Sequence, residues 1–124
     1  MARLMSSTEL RQRIEKGEDF VLIDVRSDDD FDKEHISGAL NIPLAQLRQR
    51  AEKDLSTNQR IVVYGHHHDD SSSNDAAKLL EELGFRKVAD FDGGLQAWKN
   101  AGFLTEGTDP EIAGEMAELE EDEE

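Results

Sequence analysis

The sequence predicts one α/β domain, with a parallel sheet flanked by helices on both faces. Three observations support this fold class. Short apolar runs at residues 20–23, 61–64 and 88–91 have the length and the β-branched or aromatic content of buried strands. Between these runs, apolar residues recur at helical spacing. The connecting segments are short and polar, so strands and helices alternate and the crossovers should be right-handed.

The first predicted elements are a helix and a strand. Ser6 and Glu9 have the spacing of a capping box, in which a hydroxyl side chain caps the first turn of a helix. Gly17 is placed to end this helix in a left-handed conformation. The apolar run at residues 20–23 then forms a strand that ends in charged residues.

The segment between this strand and the central one is more polar. The aspartates of residues 28–32 indicate a solvated face or a helix N-terminus. Residues 35–39 are predicted to form a turn and residues 40–42 a short strand. Pro43 then opens a helix, because its fixed φ suits the first helical position.

The central strand at residues 61–64 leads into a polar loop and a helix. Four apolar residues share one face of that helix: Ala76, Ala77, Leu80 and Leu83. Gly84 closes the helix, and we expect Ser72 or Ser73 to cap its first turn. In open α/β sheets, ligands bind beyond the carboxyl ends of the strands, so this loop is where we expect the functional site.

The last strand and helix precede a strongly acidic segment. The strand at residues 88–91 is followed by a turn and by a helix over residues 95–101. We predict that residues 1–105 form the domain and that residues 106–124 form an acidic C-terminal tail, partly helical or disordered. A short helix is expected within this tail, from about residue 110 to about residue 119, because Pro110 suits a first helical position.

Charge and composition restrict the partners. The chain has 14 basic and 29 acidic residues, a net charge of −15, which argues against nucleic acid and an anionic membrane surface as partners. Ten of the acids fall in residues 106–124, which leaves 19 acids against 14 bases in the body. No apolar run is long enough to span a membrane, so we expect a cytoplasmic protein, and we expect it to be a monomer. The chain contains no cysteine.

Five motifs, in this order, resemble those of the rhodanese family. They are Leu22-Ile23-Asp24-Val25-Arg26, His35-Ile36-Ser37-Gly38-Ala39-Leu40-Asn41-Ile42-Pro43, Ile61-Val62-Val63-Tyr64, Leu83-Gly84-Phe85 and Asp92-Gly93-Gly94-Leu95-Gln96-Ala97-Trp98. The resemblance covers roughly residues 5–104. It implies a five-stranded parallel sheet and an active-site loop that follows Tyr64.

The resemblance also shows what this loop lacks. In the family, a cysteine after the strand accepts a sulfane sulfur from a donor such as thiosulfate, and loop amides stabilise the thiolate. The matching position here is Gly65, and the position of a second cysteine found in some members is Asp70. The loop has no arginine to attract an anionic donor, whereas Asp69 and Asp70 repel one. No catalytic residue is therefore assigned.

The residues that correspond to the active-site loop are Gly65, His66, His67, His68, Asp69, Asp70 and Ser71. Imidazole and carboxylate groups are common metal ligands, so His66, His68 and Asp70 could together bind a divalent metal. The alternative is a solvated polar loop that binds metal only adventitiously, in which case no cofactor is expected. Asp24 and Arg26, at the end of a strand, are assigned a structural role.

The sequence therefore favours a non-catalytic binding or regulatory module, with a protein partner that the sequence does not identify. Two alternatives stay open: a metal-binding protein that uses the loop of residues 66–70, and a sulfurtransferase-family protein whose active-site loop has been substituted. A third is a hydrolytic or transfer reaction with a histidine base and Ser71, Ser72 or Ser73. Against it, these serines suit helix caps and suggest no ordered triad.

Overall fold

A computed structural model defines the fold for residues 2–108. Seven strands and five helices follow one another in this part of the chain: β1 (Arg3–Leu4), α1 (Ser7–Glu15), β2 (Val21–Asp24), α2 (Asp28–Lys33), β3 (His35–Ile36), β4 (Leu40–Asn41), α3 (Leu44–Asp54), β5 (Arg60–Tyr64), α4 (Ser72–Glu82), β6 (Lys87–Phe91), α5 (Gly94–Asn100) and β7 (Thr105–Glu106). Five strands form one sheet in the order β1-β6-β5-β2-β4. All neighbours in this sheet are parallel, which confirms the predicted fold class.

The sheet separates two apolar layers. Along β5, Ile61 and Val63 face α3 and α4, whereas Val62 and Tyr64 face α1 and α5. Successive strand side chains point to opposite faces, and both faces are covered by helices, so the whole run is apolar. The edge of the sheet at the carboxyl end of β5 is therefore held rigidly from both sides.

The helix starts follow from local side-chain chemistry. The Ser6 hydroxyl accepts a hydrogen bond from the Glu9 amide at 3.1 Å, as the capping-box spacing predicts. The aspartate-rich stretch forms α2, and the Ser27 hydroxyl caps it by accepting from the Asp30 amide at 3.2 Å. Pro43 precedes the next helix as its N-cap residue, so that helix begins one residue later than predicted.

Three short strands, β1, β3 and β7, were not predicted from the sequence. β1 adds an edge strand beside β6. β3 lies within the segment predicted to be a turn and pairs with β7 in a separate antiparallel sheet. The predicted boundary between residues 105 and 106 falls inside β7, and the amide of Thr108 donates to the Asp32 carbonyl oxygen at 2.9 Å. The helix predicted for residues 110–119 lies outside the described residues.

Within residues 2–108, no helix has the length and the apolar character needed to cross a membrane.

Candidate functional site

The candidate site is the loop of residues 65–71, between β5 and α4. Gly65 is buried, whereas residues 66–69 are exposed. The first amides of α5 hold the loop, because Leu95 donates to the Gly65 carbonyl oxygen at 3.0 Å and Gln96 donates to that of His66 at 2.9 Å. Gly94 permits this approach: its φ is +66°, and an added Cβ would lie 2.6 Å from the Gly65 oxygen. The loop backbone is therefore fixed between two helix starts.

The Asp70 carboxylate fills the interior of the loop. One oxygen accepts from the His66 amide at 3.1 Å, and the other accepts from the Ser72 amide at 3.0 Å. Burial favours the neutral carboxyl, but the hydrogen bonds from Ser72 and His66 outweigh it and lower the pKa of Asp70. The loop thus supplies its own anion to the amides that face inward.

This arrangement corrects the prediction that Ser72 or Ser73 caps α4. The N-cap residue is Ser71, and its side chain makes no capping hydrogen bond. Its backbone angles, φ −74° and ψ −6°, are helical, whereas a capping residue is normally extended. The carboxylate of Asp70, one residue earlier, instead accepts a hydrogen bond from the Ser72 amide, the first amide of the helix.

Gly65 stands against the same carboxylate. A Cβ added to Gly65 would lie 2.8 Å from Asp70 Oδ2 and 2.6 Å from Ser72 Oγ, closer than carbon and oxygen atoms approach in folded proteins. The space in which a side chain at position 65 would begin is therefore taken. A cysteine could be placed here only if Asp70 and Ser72 moved.

The histidines do not converge on one point. His66 Nε2 lies 3.4 Å from the Asp30 carboxylate, and His68 Nε2 lies 3.2 Å from that of Asp69. Among residues 2–108, no three histidine, aspartate or glutamate side chains are arranged to hold a metal ion. The structure thus does not bring together His66, His68 and Asp70, because the carboxylate of Asp70 is turned inward.

The serines that follow are parts of the helix start. The Ser71 hydroxyl donates to Asp75 at 3.3 Å. Ser73 is buried, and the Ser72 hydroxyl is buried without a hydrogen-bond partner in the described structure. In this part of the chain none of the three hydroxyls is hydrogen-bonded to a histidine, so the pairing that activates a serine nucleophile is not formed there.

Asp24 and Arg26 brace the neighbouring loops. The Arg26 guanidinium forms a bidentate pair with the buried Asp24 carboxylate, in which Nη2 donates at 2.7 Å and Nε donates at 3.0 Å. Nη2 also donates to the Glu34 carbonyl oxygen at 2.6 Å. Burial opposes the charge of the guanidinium, but the hydrogen bond and the charge of Asp24 prevail and raise the pKa of Arg26. This pair joins the end of β2 to the end of α2.

One buried charged residue near the site was missed by the sequence reasoning. Asp90, on β6, lies in the layer under α4, and neither of its carboxyl oxygens has a hydrogen-bond partner in the described structure. Burial raises the pKa of Asp90, although nearby Ser73 and Asn74 oppose this. An aspartate inside an otherwise apolar strand was the signal that could have found it.

A parallel α/β domain with an anion-holding loop after its central strand is the class that this fold and site define. A family model described as "Rhodanese-like domain" matches residues 6–101, so the chain belongs to the rhodanese-like family. It is 34% identical over 84 residues to thiosulfate sulfurtransferase GlpE of Coxiella burnetii, a match that covers 68% of this chain and 76% of the relative.

Other similar proteins are longer. The HTH-type transcriptional regulator Rv0324 of Mycobacterium tuberculosis is 35% identical over 98 residues, which are 79% of this chain and 42% of the regulator. The putative sulfur carrier protein YrkF of Bacillus subtilis is 30% identical over 71% of this chain and 46% of its own length. The chain therefore spans less than half of these two relatives.

Solved structures agree with the fold. The rhodanese-like domain of Alr3790 from Anabaena sp. superposes with a TM-score of 0.79 at 36% identity, over 87% of this chain and 81% of that one. Thiosulfate sulfurtransferase from Pseudomonas aeruginosa gives a TM-score of 0.74 at 30% identity, over 86% of this chain and 20% of that one.

Proposed function

We propose that this rhodanese-like domain has lost persulfide chemistry and acts as a binding or regulatory module for a protein partner. The observation that carries the proposal is Gly65 at the position of the family nucleophile, in a chain of 124 residues without cysteine. Sulfur transfer through a persulfide needs a thiolate, and no other side chain replaces it at neutral pH. A cytoplasmic location, a monomeric state and the absence of a cofactor belong to the same proposal.

The contacts of Asp70 support it further. In a sulfurtransferase loop, inward-facing amides stabilise a negatively charged sulfur. Here, the amides of His66 and Ser72 are already bonded to a carboxylate. An incoming thiosulfate would meet that negative charge without any arginine in the loop to offset it. The loop is thus closed to the anionic donors that the family chemistry uses.

The experiment is a thiosulfate and cyanide assay that follows thiocyanate. The protein as it stands should give no turnover above the uncatalysed rate, and any turnover would refute the proposal. Gly65→Cys should also remain near background, because the new side chain must displace both Asp70 and Ser72. Family-like rates from this single variant would show that Asp70 does not obstruct the site.

The double variant Gly65→Cys with Asp70→Ser distinguishes the substituted-loop alternative. The serine Oγ would lie near the present Asp70 Cγ, which is 3.5 Å from an added Cβ at position 65, so only Ser72 Oγ, at 2.6 Å, would still have to rotate away. We expect the cysteine of the double variant to react faster with iodoacetamide than that of the single variant. Turnover restored by these two changes would identify a sulfurtransferase loop altered at two positions, and would overturn the assignment as a binding module.

A further inference from the structure

A groove of about 540 Å³ lies at the amino-terminal edge of the sheet, opposite the candidate site. Its volume falls in the range of ligand-binding clefts. Half-buried Phe20 contributes apolar surface to it. Five basic side chains line it, Arg3, Arg13, Arg60, Arg86 and Lys87, against two acidic ones, Glu18 and Glu81. Within a chain of net charge −15, this is a local concentration of positive charge.

Part of this charge has no ion-pair partner among the described residues. Glu9 accepts hydrogen bonds from both Arg3 and Arg13, and Glu18 pairs with Arg13 at 3.3 Å, so two carboxylates neutralise these two arginines locally. Arg60, Arg86 and Lys87 are exposed and make no ion pair within residues 2–108. These three side chains therefore supply the charge that is open to an anionic ligand.

Two of these side chains also repel one another. Arg60 and Lys87 are register partners at the first positions of β5 and β6. Like charges held on neighbouring strands repel each other, and exposure to water weakens this repulsion. A bound anion would relieve this repulsion, so the groove gains stability from occupation.

The complementary charge lies in the same chain. Residues 109–124 contain nine acidic residues and no lysine or arginine. We propose that this C-terminal acidic segment docks in the basic groove of its own domain. Ile112, Met116 and Leu119 give the segment apolar side chains as well, which suit the surface of Phe20.

The C-terminal acidic segment is long enough to reach the basic groove. It leaves the domain at Thr108, whose amide is tied to the Asp32 carbonyl oxygen. Sixteen residues extend up to about 50 Å, at roughly 3.3 Å each, and a domain of about 100 residues is only about 30–40 Å across. Tethering also gives a local concentration on the order of millimolar, so individually weak ion pairs are enough to populate the docked state.

The test uses the absence of native cysteine. A spin label on Asp122→Cys in the full chain should broaden the amide resonances of residues 60, 61, 87 and 88, which are remote in sequence. We expect these peaks to lose most of their intensity at low salt. The loss should disappear at about 1 M salt, where the screening length is about 3 Å. Unchanged groove peaks at low salt would refute docking.

Two triple variants of equal charge change separate the groove from general electrostatics. Neutralising it with Arg60→Gln, Arg86→Gln and Lys87→Gln should restore the peaks. The matched control, Arg48→Gln, Arg50→Gln and Lys53→Gln on α3, should leave the broadening intact. Equal broadening in both variants would contradict the proposal. A second experiment mixes an isotope-enriched chain that has no spin label with a spin-labelled chain. Broadening of the isotope-enriched chain would also contradict the proposal, because the segment would then bind a second copy.

Discussion

Replacing Asp90 with leucine should stabilise the protein, because the native carboxyl group is buried and makes no hydrogen bond of ordinary geometry with its polar neighbours Ser73 and Asn74. Its side chain is 1% exposed, and neither oxygen has a hydrogen-bond partner in residues 2–108. Asp90 lies in the layer between β6 and α4, where its neighbours in the sheet face an apolar cluster. Leucine has the same number and branching of side-chain heavy atoms, but its two methyl groups are larger than the carboxylate oxygens, so crowding offsets part of the gain.

The magnitude follows from the two costs that the substitution removes. A buried polar group without a partner costs about 1–3 kcal/mol, even when it is neutral. A second cost arises when the group ionises, because burial disfavours the charge. Asp90→Asn removes only the ionisation cost, since the amide stays polar. Asp90→Leu removes both, and about 1 kcal/mol corresponds to roughly 4 °C in Tm for a domain of this size.

The two costs can be separated because only the ionisation cost depends on pH. The folded-state pKa of Asp90 is raised above the usual value of 3.8, so folding favours the protonated form. Below the pKa that Asp90 has in the unfolded chain, the group does not lower the free energy of unfolding. As the pH rises from there toward the higher pKa of the folded state, the free energy of unfolding decreases. The advantage of Asp90→Asn over the native chain should therefore grow from about pH 4 upward and then level off.

Urea unfolding between pH 4 and pH 8 measures both effects. At the acid end, the free energy of unfolding of Asp90→Leu should exceed that of the native chain by up to about 3 kcal/mol, whereas that of Asp90→Asn should nearly match it. Asp19→Asn, at an exposed site with the same charge change, should stay within about 0.5 kcal/mol throughout. Destabilisation by leucine, or pH profiles that run parallel in all chains, would refute the argument.

Three further substitutions test contacts around the site by the same unfolding measurement. Tyr64→Phe should cost about 1–3 kcal/mol, because the buried Ile36 amide loses its acceptor at 3.1 Å; no loss would mean that the amide finds another. Arg26→Lys should cost about 1.5–3 kcal/mol, since lysine has no fork for the buried carboxylate. Gly94→Ala should cost more than Gly102→Ala, because both have positive φ but only Gly94 adds a clash; equal costs would contradict this.

The main sheet could be predicted because its signals are local. Apolar strands and helical spacing are read within short windows, and β5 and β6 lie where those windows placed them. β1 contains two exposed residues and therefore has no apolar pattern. The pairing of β3 with β7 joins residues 35–36 to residues 105–106, a separation that no local pattern reports.

The position of the candidate loop after β5 could be predicted, but the arrangement of its side chains could not. Parallel strands place functional loops beyond their carboxyl ends, and this rule identified residues 65–71. The role of Asp70 depends on the backbone path, because Ser71 is helical and leaves the first amide of α4 to the preceding carboxylate. From the sequence, Asp70 was interpreted as a metal ligand or as a repulsive charge. Neither its spacing nor its residue type indicates that its side chain faces into the loop.

Gly65 and Asp70 form one electrostatic unit. The amides of His66 and Ser72 both donate to Asp70, and the part-buried Ser72 amide would lose free energy without an acceptor. In a sulfurtransferase that acceptor is a charged sulfur at the position of Gly65, and here it is the carboxylate of Asp70. A thiolate added beside Asp70 would place two anions at one set of donors, whereas removing Asp70 alone would leave the donors empty. The effects of Gly65→Cys and Asp70→Ser on stability should therefore be strongly non-additive in a double-mutant cycle, with the pair less damaging than the sum of the single changes.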